Sequence, residues 1–199
     1  MSGPVVVKVG GSLLDRPELP GRLSSFLGEY RGDRVVVVCG GGRVVDALRD
    51  LDAVHGLGEG PSHALALRAL DLTARVLACL VPGLDVVEDL AGLAPTWAVG
   101  RTPLLSPRRF LGDDDRSPDP LPHAWTTTSD AIAARLAVRL GAARLVLLKS
   151  APPPAGAGIG EAARMGWVDP VFPRAVDGVP IVSYLNLREG SAVETTLGP

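Results

Sequence analysis

The chain has little of what usually marks a function from sequence alone. Its two cysteines, Cys39 and Cys79, form no Cys-x-x-Cys pair, and only three histidines occur among 199 residues. A disulfide framework and a structural zinc site of ordinary spacing are therefore excluded. No stretch of roughly 18 apolar residues is present, which removes a membrane-spanning helix. The first apolar run, Val5 to Val7, is broken by Lys8 with no longer run behind it, so no secretory leader is expected and a reducing, cytoplasmic location is the default. The net charge is −2 and the pI near 5.9. That leaves no polycationic footprint, so neither nucleic acid nor an anionic membrane is an expected partner.

Lysine is scarce as well. Of the 20 basic residues 18 are arginine, and Lys8 and Lys149 are the only lysines. Both end apolar, strand-like runs. A compact ammonium acts on a phosphate as a point charge, whereas arginine is a planar fork. Two phosphate-facing ammonium groups are the functional reading, and chance retention the plain one.

What is present describes an ordinary globular chain. Apolar residues make up 46% and charged residues 21%, close to the average, and the length fits one domain over residues 1–199. Strands are expected at Val5 to Val9, Arg34 to Cys39, Leu84 to Val87, Thr96 to Val99, Ala124 to Thr127, Arg144 to Leu148 and Val179 to Ser183. Helices are expected at Glu18 to Tyr30, Arg43 to Leu51, Pro61 to Leu80, Ser129 to Leu140 and near Pro170 to Val176. Gly112 to Pro122 and Ala151 to Gly160 read as loops, and Asp113-Asp114-Asp115 as a solvated part of the first. No protein metal site is expected there, because Mg²⁺ usually borrows substrate phosphates. Strand and helix alternate, which argues an α/β, three-layer αβα sandwich around a mainly parallel sheet.

In such a sheet ligands bind beyond the carboxyl ends of the strands. Three expected strands end in site-like residues: Lys8 to Ser12 with Gly10-Gly11, then Gly40-Gly41-Gly42, then Lys149-Ser150. Glycine turns let backbone N–H groups approach a phosphate, though any one pair is equally well a tight turn. GxxxxGK[ST] is absent, and neither glycine cluster has GxGxxG spacing. A P-loop NTPase and a dinucleotide-binding dehydrogenase are thus unsupported.

Taken together, VVVKVGGSLL at 5–14, VVVVCGGG at 35–42, TTTSDAIAARLA at 126–137 and RLVLLKS at 144–150 resemble the amino acid kinase superfamily. Two further stretches, PSHALALRALDLTARVLACL at 61–80 and HAWTTTSDAIA at 123–133, resemble its branch of small methanofuran-biosynthesis kinases, which convert an (aminomethyl)furanmethanol phosphate to the diphosphate. The resemblance implies direct phosphoryl transfer from Mg²⁺-ATP to a small-molecule phosphate acceptor, and a homo-oligomer. Lys8 would hold the transferring group, with Gly10, Gly11 and Ser12 donating to its oxygens and Lys149 and Ser150 completing the nucleotide side. Gly40, Gly41, Gly42, His63, His123, Trp125, Thr128 and Ser129 would hold the acceptor. Asp130 would orient Lys8; as a first-turn acid beside a Ser cap it also admits a helix-dipole role. His63, His123 and Trp125 also admit plain packing roles.

The chain departs from the family where members usually continue as Asp-x-x-Gly-[Ile/Val]-Tyr. Here the turn is Ala151-Pro152-Pro153-Pro154-Ala155-Gly156, and no lysine follows Lys149, so Arg164 or Lys149 itself would supply the second charge. A nucleoside monophosphate or an amino acid carboxylate is the alternative acceptor. The triple proline also admits a non-catalytic binding or assembly subunit.

Overall fold

The computed structural model describes residues 3–189 and 193–198. Val5–Val9 forms β1 and Val35–Cys39 forms β2, both buried along their whole length. Both are valine-rich, β1 interrupted only by Lys8, as strands covered on both faces tend to be. Leu84–Val87 (β3), Thr102–Leu105 (β4), Arg144–Lys149 (β5), Val182–Asn186 (β6) and Thr195–Thr196 (β7) complete a sheet of order β3-β4-β2-β1-β5-β6-β7. Every pairing is parallel except β6 with β7.

The helices are Leu19–Glu29 (α1), Gly42–His55 (α2), Glu59–Leu80 (α3), Leu93–Ala98 (α4), Pro107–Asp114 (α5), Ser129–Arg139 (α6), Ile159–Arg164 (α7) and Phe172–Ala175 (α8). They cover both faces of the sheet. Val6, Val36, Leu145 and Leu147 pack with Ile132 and Leu136 of α6 and Phe172 of α8. The opposite face, with Val7, Val37, Val146 and Leu148, packs against Leu19, Leu23 and Phe26 of α1 and Leu77 of α3. The three-layer αβα expectation is met.

The chain winds outward from β1 to β3 on one side and returns on the other as β5. The order therefore reverses at β1, the position where open α/β sheets leave a crevice. Register sharpens the point. Val9 is level with Cys39 on β2 and with Leu148 on β5, so Gly10, Gly40 and Lys149 leave the sheet side by side.

Several expected elements lie elsewhere. Thr96 to Val99 is not a strand: Thr96 lies in α4 and bonds back to the Gly92 carbonyl at 2.8 Å, and the Trp97 indole donates to the Val35 carbonyl at 2.6 Å. The strand comes just after, as β4, and Pro103 masks it in sequence. Pairing with β2 begins only at Leu104, so the missing proline N–H interrupts no bond on that side. Ala124 to Thr127 is a turn closed by Thr127 N–H on the Ala124 carbonyl. The segments read as loops each hold part of a helix, α5 with Pro107 at its start and α7 from Ile159.

Asp114 corrects the reading of the acidic triplet as solvated. Its side chain is buried, accepts from the Leu121 amide at 3.2 Å, and faces Arg135 at 3.4 Å and Arg139 at 3.8 Å on α6. It ties the 112–122 segment to α6. Among the described residues no group of three or more His, Cys, Asp or Glu side chains could hold a metal ion, and no helix is long and apolar enough to cross a membrane.

Candidate functional site

Lys8 lies on the sheet face shared by Val6, and Lys149 on that shared by Leu145 and Leu147, because side chains alternate along a strand. Both therefore aim at α6, whose first turn carries Asp130. The Lys8 ammonium meets Asp130 Oδ1 at 2.8 Å, and the Lys149 ammonium donates to Oδ2 at 2.7 Å. Burial opposes a charge on Asp130, but the fields and hydrogen bonds of the two ammonium groups exceed it and hold the carboxyl below its ordinary range. Lys149 goes the other way. Desolvation and the neighbouring Lys8 outweigh Asp130 and Asp169 and push it down to about 8 from 10.5.

The start of α6 is built to present Asp130. Thr128 is the N-cap, its hydroxyl accepting from the Asp130 amide. Asp169, which is buried, accepts at Oδ2 from Thr128 N at 3.2 Å, Thr128 Oγ1 at 2.7 Å and Ala131 N at 3.0 Å. Lys149 donates a second bond to the Trp167 carbonyl at 2.7 Å, and its ammonium lies 4.7 Å from the Trp167 ring centroid. Trp167 and Asp169 escaped the sequence reading. A lone Trp-Val-Asp between two short helices carries no periodic signal, and nothing in the chain order places it beside Lys149.

The glycine turns interlock. A Cβ at Gly11 would fall 2.1 Å from the Gly42 nitrogen, and one at Gly40 would fall 2.7 Å from the Gly11 nitrogen. Gly42 has φ of +50°, a conformation that glycine adopts at low cost. Glycine is thus required first so that the β1 and β2 turns can touch. Beside them Ser12 Oγ and Ser150 Oγ lie 2.9 Å apart, joining the exits of β1 and β5.

A cavity of about 300 Å³ opens on the α2–α3 side of these turns. Of the expected acceptor residues, Gly41, Gly42, His63, Trp125, Thr128 and Ser129 line it, as do Gly11 and Ser12 from the expected nucleotide set. Val45, Leu67, Leu70 and Ile132 form an apolar wall, and Asp15 and Asp46 are polar lining residues. Gly10, Gly40, Lys8, Asp130, Lys149 and Ser150 are not among the lining residues.

His123 does not line the cavity; it stacks on His63 at 5.1 Å with 9° between the rings and pairs with Asp115 at 2.7 Å. Burial, helped by His123, holds His63 below the ordinary imidazole range. The Trp125 indole donates to Asp52 at 2.7 Å, keeping that carboxyl below its usual range, and its amide donates to Glu59 at 2.6 Å. Arg164 is exposed at the end of α7, so Lys149 is the cation that stands with Lys8.

Known proteins share the fold and the family of this chain. The chain is 28% identical over 131 residues to the [5-(aminomethyl)furan-3-yl]methyl phosphate kinase of Methanocaldococcus jannaschii, covering 64% of this chain and 57% of that protein. It is 42% identical over 84 residues to a uridylate kinase of Hyperthermus butylicus, covering 38% of this chain and 35% of that one. The chain thus spans little over half, or less, of the curated relatives it matches. Among solved structures it shares its fold with UMP kinases of Bacillus anthracis (TM-score 0.68, 12% identity, 95% of this chain and 89% of the other) and Ureaplasma parvum (0.66, 11%, 100% of both). The profile of the amino acid kinase family matches residues 3–152, about three quarters of the sequence. The chain belongs to the amino acid kinase family.

Proposed function

We propose that this protein is a small-molecule kinase that transfers the γ-phosphoryl group of Mg²⁺-ATP to a phosphate acceptor, an (aminomethyl)furanmethyl phosphate or a close analogue. One observation carries the reading: a single buried carboxylate, Asp130, holds two ammonium groups at the carboxyl edge of the sheet, beside a cavity of the acceptor's scale. Phosphoryl transfer needs positioning and stabilisation of charge on the transferring oxygens more than covalent help. Lys8 supplies that charge. Gly10, Gly11 and Ser12, with Lys149 and Ser150, hold the donor phosphates.

The donor set suits a polyphosphate: ammonium groups, hydroxyls and turn amides, with both Asp130 oxygens already taken by lysine. A divalent ion, when bound, would be held by the nucleotide's own phosphates and would shield their charge. An acceptor phosphate is largely ionised at pH 7. Its oxygen forms the new P–O bond as the bond to the ADP oxygen breaks, and no side chain has to remove a proton. Ser129, at the amino end of α6, faces the acceptor's anionic end, next to Thr128, whose own N–H and hydroxyl are given to Asp169.

The specific acceptor is supported by the relative's name and by the cavity lining. The apolar wall and the Trp125 and His63 rings suit a flat ring. The cavity's carboxylates, Asp15 and Asp46, are paired with Arg43 at 2.8 Å and Arg49 at 3.2 Å, so an acceptor ammonium group would share or displace those partners. The 42% identical stretch shared with a uridylate kinase favours UMP as the second reading. Incubation with Mg²⁺-ATP and each acceptor, followed by ADP release and ³¹P NMR, separates the two. A diphosphate of the furan compound is expected. Formation of UDP alone overturns the acceptor assignment, and no ADP with any acceptor overturns the kinase reading.

A further inference from the structure

Residues 167–169 run past the two-lysine centre and touch both Lys149 and the start of α6. Trp167 acts on the Lys149 side through three groups. Its carbonyl accepts from Lys149 Nζ at 2.7 Å, its ring lies 4.7 Å from that ammonium, and its indole N–H donates to the Ala151 carbonyl at 3.0 Å. The last bond fixes the first residue of the proline-rich segment that replaces the family's usual nucleotide turn. The ring is itself braced edge-on by Tyr184 at 5.5 Å and 78°.

Asp169 acts on the α6 side. One oxygen gathers Thr128 N, Thr128 Oγ1 and Ala131 N, and the other accepts from Val171 N at 3.1 Å. Asp130 lies between the two residues so tied, so its backbone has no freedom to drift from the lysines. Between the two anchors Val168 is buried in the α6-side core, which couples them as one piece. Neither Trp167 nor Asp169 is among the residues lining the acceptor cavity, and neither is needed there.

We propose that Trp167 and Asp169 are positioning residues, forming a strap that holds Asp130 and Lys149 in register with Lys8 and fixes the entry of the 151–158 segment on the nucleotide side. The strap deepens the kinase reading and rests on it for its catalytic consequence, but not for its geometry. Lys149 is faced by Lys8 from β1, Asp130 from α6 and Asp169 from the strap, so its state reports on all three elements.

The chain offers a direct readout. Lysine-selective ¹⁵N labelling gives two side-chain signals, from Lys8 and Lys149, without any turnover. Asp169→Ala is expected to move both signals toward free-lysine positions while circular dichroism stays native. It is also expected to lower kcat about 100-fold, the scale of a misplacement of roughly 1 Å at a reacting centre. Asp169→Asn keeps an acceptor oxygen for the α6 amides and is expected to recover to within about tenfold of wild type.

A merely structural Asp169 would lower Tm yet leave both lysine signals in place and kcat within about twofold; that result overturns the proposal. Should Asp169→Ala not fold, Asp169→Asn and Trp167→Phe decide. Trp167→Phe keeps an aromatic ring and the carbonyl, removes the indole bond to Ala151, and trims the ring surface facing Lys149 and Tyr184. It is expected to raise the nucleotide KM about tenfold with kcat within about twofold, and an unchanged nucleotide KM overturns the strap. If the wild type transfers phosphate to no acceptor, the kinase reading fails while the lysine signals still judge the strap.

Discussion

Lys8 and Lys149, on adjacent parallel strands and 141 positions apart in the chain, end on the two oxygens of one carboxylate, at 2.8 and 2.7 Å. Lys8 is buried and Lys149 partly so; two cations this close repel each other, and Asp130 is what makes their proximity tolerable.

Removing that carboxylate leaves two desolvated charges without compensation. Asp130→Ala is expected to cost about 3–5 kcal/mol, which for a chain of this size is a fall in Tm of about 10 °C. Differential scanning calorimetry at pH 7 measures it. A loss below about 1 kcal/mol would show that the centre is not held by this pair.

Lys8→Ala removes one of those charges and relieves the repulsion, so the protein is expected to stay folded. Under the kinase reading kcat falls about 10³-fold, the scale of losing a group that stabilises transition-state charge, with the acceptor KM within about threefold. Steady-state ADP release gives both numbers, and an unchanged kcat removes Lys8 from the chemistry.

Lys149 titrates near 8 in the folded chain against 10.5 ordinarily, and this has opposite consequences for rate and stability. The rate is expected to fall above about pH 8 as the ammonium charge is lost. Lys149→Arg, which cannot be deprotonated in this range, should lack that limb. For stability, the unfolded chain binds this proton up to 10.5 and the folded chain releases it near 8. Between those values the unfolded state holds more protons, so the group's contribution to stability rises with pH. The cost of burying the charged form is fully present below pH 8. Rate profiles and urea titrations from pH 7 to 10 check both directions, and a flat rate profile would detach Lys149 from turnover.

The glycines separate by what surrounds them. Gly28, inside α1, has nothing within 4 Å of an added Cβ, so Gly28→Ala is expected to stabilise by about 0.5–1 kcal/mol through helix propensity and chain entropy. Gly11→Ala would drive its methyl into the Gly42 backbone and is expected to destabilise by more than about 3 kcal/mol. Urea midpoints compare the two. Equal effects would mean that the turns do not interlock as described.

Trp125 lines the cavity and is anchored by Asp52. Trp125→Ala is expected to raise the acceptor KM about tenfold and leave the nucleotide KM within about twofold. A change confined to the nucleotide KM would move Trp125 to the other side of the site.

Much of this architecture is legible in the sequence. The buried strands β1, β2 and β5 are apolar runs, β1 interrupted only by Lys8, and each ends in lysine or runs straight into glycine, so both the parallel sheet and the edge that carries the site follow from local pattern. The start of α6 is equally local, although the sequence points to Ser129 as its cap and the structure uses Thr128, one residue earlier. What was misread has local causes too. Pro103 disguises β4, β-branched residues disguise the end of α4, and Asp114 reads as solvated because its arginine partners lie on another element.

The sequence by itself determined which groups exist: two ammonium groups where every other cation is a guanidinium, two glycine turns, one capped helix start. Only the tertiary structure decided that these groups meet. Strand register sets Val9 level with Leu148, and the reversal of strand order at β1 brings the exits of β1, β2 and β5 together. The strap at Trp167 and Asp169 came from folding alone. Its residues act through backbone amides and a carbonyl on distant segments, and hydrogen bonds of that kind leave no periodic or compositional trace in a linear chain.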